Sequence, residues 1–97
     1  MIQREGDRVL VTGPVTLANV AQTLEEGYAA IRAGVGVVDL AGVTELDSSL
    51  LAMLLAWLRE AAGAGRTLQL DNLPGGLTTI AQLYGVDELL PFAQARH

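Results

Sequence analysis

The chain has no cysteine and no lysine, and its only histidine is the last residue, His97. Without cysteine there is no disulfide framework, no thiolate metal site and no cysteine nucleophile, which suits a reducing compartment. With one terminal histidine there is no paired His, Cys or carboxylate spacing of the kind that holds a metal. A net charge of −5 argues against a broad basic footprint for nucleic acid or anionic lipid. Long apolar runs are absent too. The longest is nine residues, 50–58, far below the roughly 20 that span a bilayer. The start, Met1-Ile2-Gln3-Arg4-Glu5, lacks the charged onset and apolar run of a secretory signal. These absences lead us to expect a soluble cytoplasmic protein with no metal or cofactor and no direct lipid contact.

What is present is enough for one core. Half of the 97 residues are apolar, so the chain is expected to fold as a single domain over 1–97. Strand-like runs over 2–5 and 8–12 meet at Gly6-Asp7, a hairpin turn, and Gly13-Pro14 ends the second run. A helix is predicted over 17–32 with Thr16 as N-cap and Gly34 just past its end. Its apolar face would be Leu17, Val20, Ala21, Leu24, Tyr28 and Ile31. Gly27 within it weakens the helix by roughly 1 kcal/mol relative to alanine.

Residues 35–40 read as a buried strand, 41–46 as a loop and 67–71 as a strand with Leu68 and Leu70 on one face. A short helix over 77–84 is ended by Gly85. One more turn over 86–90 stops at Pro91, and the tail after Phe92 is expected to be loose. The order β-β-α-β-α-β-α predicts an α/β fold. Its mixed four-stranded sheet carries the helices mainly on one face.

The run from Leu50 to Leu58 follows Asp47-Ser48-Ser49 directly and reads as a helix apolar nearly all round. At 3.6 residues per turn, Leu51, Leu54, Leu55, Leu58 and Ala62 share one stripe. Leu50, Met53, Trp57 and Ala61 form a second. A peripheral helix needs only one apolar stripe, so the second needs a cover. That cover is either a neighbouring helix of the same domain or a partner, with Trp57 as anchor and Met53 as an adaptable contact. Asp47 suits the N-cap, because its carboxylate accepts from unpaired amides at the positive end of the helix dipole. Ser48 and Ser49 then fall in the first turn. Thr44 and Glu45, just before, are either rim contacts or ordinary exposed loop residues. Asp39 has no histidine or lysine near it and reads as a cap for loop amides. Gly75-Gly76 precedes a helix but lacks the GxxxxGK pattern of a phosphate-binding loop.

The run Val37-Val38-Asp39-Leu40-Ala41-Gly42-Val43-Thr44-Glu45-Leu46-Asp47-Ser48-Ser49, followed by the leucine-rich helix, resembles the central signature of STAS domains. Two positions depart from that pattern: Ala41 where serine is common, and Leu50 where glycine or alanine is common. Downstream, Leu77-Thr78-Thr79-Ile80-Ala81-Gln82-Leu83-Tyr84-Gly85-Val86 and Leu89-Leu90-Pro91 resemble the ending of MlaB-like members.

The resemblance implies a STAS-like fold and a non-enzymatic subunit. That subunit would support the MlaF-like ATPase of an Mla-type ABC phospholipid transporter, in a complex that also contains a permease. The role maintains outer-membrane lipid asymmetry, from the cytoplasmic face of the inner membrane. The expected interface is Thr44, Glu45, Ser48, Ser49, Leu50, Met53 and Trp57, with Ser48 the family-like contact. The alternative is an anti-sigma factor antagonist bound to a serine kinase anti-sigma factor, with Ser49 as the phosphorylation switch. A small-molecule or nucleotide sensor is a third reading.

Overall fold

The computed structural model describes residues 1–86; the expected turn over 86–90, the stop at Pro91, the tail after Phe92 and His97 lie at or beyond that limit. The elements are β1 (Ile2–Glu5), β2 (Arg8–Val15), α1 (Val20–Arg32), β3 (Val37–Leu46), α2 (Ser48–Gly63), β4 (Gln69–Asp71) and α3 (Gly75–Leu83). The sheet order is β1-β2-β3-β4. β1 and β2 form the antiparallel hairpin, and β2, β3 and β4 run parallel. This is the mixed sheet expected from the element order.

Because side chains alternate across a strand, the sheet has two unlike faces. Val9, Val11, Val38, Leu40 and Leu70 point into the single core beneath the helices. On the other face Arg8 bridges Asp39 and Asp71, each at 3.0 Å, across three strands. Residues 35–40 therefore do not form a continuously buried strand. The strand alternates, since only one face of the sheet is covered.

Several boundaries differ from the sequence expectation: β4 begins at Gln69 rather than 67 and α3 at Gly75 rather than 77, and the larger differences lie in β2 and β3. β3 runs on through 41–46, which is strand rather than loop, and Gly13-Pro14 does not end β2. Thr12 pairs with Gly42, Gly13 with Val43, Pro14 with Glu45 and Val15 with Leu46. The pairing with β1 stops at Val11, so Pro14 lies where β2 has a sheet neighbour on one side only and its missing N–H disrupts little. Register shifts flank Gly13, whose φ of +80° is the positive value such an irregularity favours.

α1 also starts later than its periodicity suggests. The Asn19 side-chain carbonyl oxygen accepts from the Thr16 N–H (2.9 Å), and the Asn19 and Val20 amides donate to the Thr16 carbonyl. Residues 16–19 are thereby locked as a turn, and local Asn pairing of this kind competes with helix. Leu17 leaves the helical face and is 80 % exposed. Ala21 is exposed as well, while Thr23, Gly27, Ala30 and Ile31 are buried.

Candidate functional site

The site is built around the start of α2. Asp47 is extended and caps the helix, its Oδ1 accepting from the Ser49 amide at 2.8 Å. Its Oδ2 accepts from the Leu17 amide at 3.1 Å. One carboxylate thus fastens both the helix and the β2–α1 turn. These two amides, Leu17 first, hold the Asp47 carboxyl below the ordinary aspartate range. Ser48 is exposed and Ser49 half-buried, while Thr44 and Glu45 are exposed on the last stretch of β3.

The cover for the second stripe of α2 comes from the domain itself. Leu50, Met53 and Trp57 are 0–2 % exposed, so their expected place in a partner interface is corrected: they are core. α1 packs on α2 and meets it at Trp57. The Trp57 indole rests against Gly27, where a Cβ would overlap ring atoms Cζ2 and Cε2. Its Nε1 donates to the Leu24 carbonyl at 3.0 Å. A bare glycine lets the two helices close on the ring, so Gly27 is a packing device and not merely a weak point.

The open side of α2 takes in only part of the other stripe. Leu51 and Leu54 are buried, but Leu55 and Leu58 are only partly covered and Ala52 and Ala62 are exposed. Ser48, Leu51, Ala52, Leu55, Tyr84 and Val86 line a shallow cavity of about 290 Å³. A second of about 290 Å³, lined by Leu55, Leu58, Arg59 and Ala62, continues it along the helix. Beside the first, Leu83 and Tyr84 are 78 % and 62 % exposed. Ser48, Ala52 and Leu55 fall on one helical line and make a strip that starts with the Ser48 hydroxyl at the capped end and is apolar beyond it. Ala52 and Leu55 are not among the interface residues expected from the sequence, where Leu55 falls on the first apolar stripe and Ala52 on neither.

Asp39 occupies the opposite sheet face. Burial pushes its carboxyl up, but donors from Asn72 and the Ala41 amide, with the Arg8 charge, outweigh this and leave it lowered. Its Oδ1 accepts from Ala41 N–H (2.9 Å) and Asn72 Nδ2 (3.0 Å), the capping role expected of it. For Asp39 and Asp47 alike, a folded-state pKa below the unfolded one means stability that is complete above the unfolded value. That stability is lost as pH falls through the folded value. The melting temperature should therefore hold from neutrality to about pH 5 and fall below about pH 4. Asp39→Asn should flatten part of that fall. A melting series between pH 3 and pH 7 checks both.

Among the described residues no group of His, Cys, Asp or Glu is arranged to hold a metal ion. Nor is any helix long and apolar enough to cross a membrane.

A hairpin leading into parallel strands, with a capped helix after the long third strand, is the STAS architecture. The anti-sigma factor antagonist SpoIIAA, in its unphosphorylated form, has a similar fold: TM-score 0.63 at 18 % identity, over 86 % of this chain and 81 % of that one. The Mglu crystal structure is also similar, with a TM-score of 0.56 at 23 % identity, over 77 % of this chain and 19 % of that one. No curated protein sequence matches the chain. The family model described as "Mlab, STAS domain" matches residues 1–91, and the chain belongs to this MlaB-like STAS family. Members of the STAS family are generally interaction or regulatory domains rather than catalysts.

Proposed function

We infer that the protein is a non-enzymatic STAS subunit that binds and supports the ATPase of an Mla-type ABC phospholipid transporter. It would work at the cytoplasmic face of the inner membrane, within a complex that includes the permease. The observation that carries this reading is the strip Ser48-Ala52-Leu55 on α2, apolar beyond its leading serine, accessible to solvent and starting at the Asp47 cap. Leu50, Met53, Leu54 and Trp57 of that helix are buried within the domain, whereas this strip, with Leu58 and Ala62 beyond it, stays open to a partner. Ser48 heads the strip, Ser49 follows it in the first turn, and Thr44 and Glu45 are exposed just before the Asp47 cap. The MlaB-like family match points to the ATPase as that partner.

The likeness of the fold to SpoIIAA and the presence of two serines at the helix start favour a second reading, an anti-sigma factor antagonist. A phosphate on Ser49 would sit at a helix N-terminus, which tolerates it, yet would obstruct a close partner surface.

Co-purification separates the two. The wild-type chain should bring down the ATPase and permease subunits of its own cell. Ala52→Arg, at an exposed position, should abolish the complex while leaving the melting temperature within about 4 °C of wild type. Recovery of a serine kinase that phosphorylates Ser49, in place of the ATPase, would instead establish the antagonist.

A further inference from the structure

Among the described residues Leu17 is the most exposed large apolar side chain, and its backbone is fixed. Its N–H is held by Asp47 Oδ2 at 3.1 Å. The turn around it is closed by three further bonds between Thr16, Asn19 and Val20. An aliphatic side chain 80 % open to water on a turn fixed in this way contributes nothing to the core. It loses little conformational freedom on contact, which is what a preorganised interface residue requires.

The turn is joined through Asp47 to the head of the α2 strip, and Glu45, paired with Pro14 across β2 and β3, lies on the same end of the molecule. The described arginines are elsewhere. Arg4 and Arg8 lie at the hairpin, where β2 starts; Arg32 ends α1; and Arg59 and Arg66 lie near or beyond the far end of α2. Parallel strands that return through antiparallel helices separate the two ends in this way. The Leu17 end therefore presents an exposed leucine beside the acidic Glu45 and Asp47, without a described basic side chain.

We propose that Leu17 is a further contact for the ATPase, seated in an apolar recess bordered by basic side chains, and that Asp47 is the positioning residue that holds it there. The proposal rests on the reading that the α2 strip binds the ATPase. It extends that interface from the helix to the β2–α1 turn and states the chemistry of the surface that receives it. The two oxygens of Asp47 then have separate roles, one capping α2 and the other presenting Leu17.

Binding kinetics of the full chain on the purified, immobilised ATPase subunit of the same organism test this. Leu17→Ala should raise the dissociation rate about tenfold, the effect of one interface anchor, with an unchanged melting temperature. Asp47→Asn keeps an oxygen to accept from Ser49 but places an NH2 group, which cannot accept, toward Leu17. It should raise the dissociation rate similarly, and in the Leu17→Ala background it should add less than twofold, because both changes remove the same contact. Glu45→Gln should slow association and weaken its salt dependence.

Wild-type kinetics in Leu17→Ala, alongside loss of binding in Ala52→Arg, would overturn the Leu17 contact while leaving the α2 interface standing. Equal effects of Asp47→Asn in both backgrounds, with a lowered melting temperature, would reduce Asp47 to a structural cap and overturn its positioning role. A wild-type chain that does not bind the ATPase overturns the functional reading itself, and this extension with it.

Discussion

Trp57→Ala is expected to be the most damaging single change in the described structure, through loss of fold rather than loss of a contact surface. The indole is fully buried between α1 and α2. Its removal deletes the largest side chain of the core and leaves a cavity that the helix backbones can close only in part. Substitutions of this kind destabilise by about 3–5 kcal/mol. The Leu24 carbonyl also loses the 3.0 Å bond from Nε1. Small domains have about 5–15 kcal/mol in total, so the variant should melt more than about 12 °C below wild type or fail to accumulate. Urea unfolding followed by far-UV circular dichroism measures the loss. A Trp57→Ala protein of wild-type stability that fails to bind the ATPase would contradict this and restore Trp57 to an interface. Failed co-purification with this variant is uninformative unless its fold is checked, which is why Ala52→Arg is the better probe of binding.

Gly27→Ala should be the second-largest effect, and its sign is opposite to that given by helix propensity. In an exposed helix interior the change gains up to about 1 kcal/mol. Here the added methyl would enter the volume of the Trp57 ring. Relief requires α1 to lift from α2 or the indole to leave its rotamer, and overpacking of this type costs about 1–3 kcal/mol. The net expectation is a destabilisation of about 1–2 kcal/mol, read as a fall in the urea midpoint at constant slope. Trp57→Phe supplies the control. With a smaller ring, Gly27→Ala should be far less harmful, so the two changes should be strongly non-additive. Equal losses in both backgrounds would show that Gly27 is required for some reason other than the indole.

The positions where the sequence reading and the structure part company have a common origin. The capping chemistry of Asp47 was legible because it depends on neighbours one to three residues away, and the structure shows the Ser49 amide on its carboxylate. Its second bond, to Leu17, was not, because that partner lies thirty positions upstream. The start of α1 was misplaced for a related reason: Leu17 fits the helical period, but the Asn19–Thr16 bond closes a turn first. From the sequence, residues 41–46 read as a loop leading into α2. They are strand because β2 continues alongside and supplies the hydrogen bonds.

What the sequence determined by itself was the order of elements, the mixed sheet, the capped start of α2 and the likeness to STAS domains. All of these follow from local periodicity, turn chemistry and a contiguous motif. Only the tertiary structure decided which side of α2 is open. Both stripes of that helix are apolar, and composition cannot say which one a neighbouring helix will cover. The decision falls to a glycine in α1, whose missing side chain admits the Trp57 ring. That close fit turns Leu50, Met53 and Trp57 inward and leaves Ser48, Ala52 and Leu55 facing out.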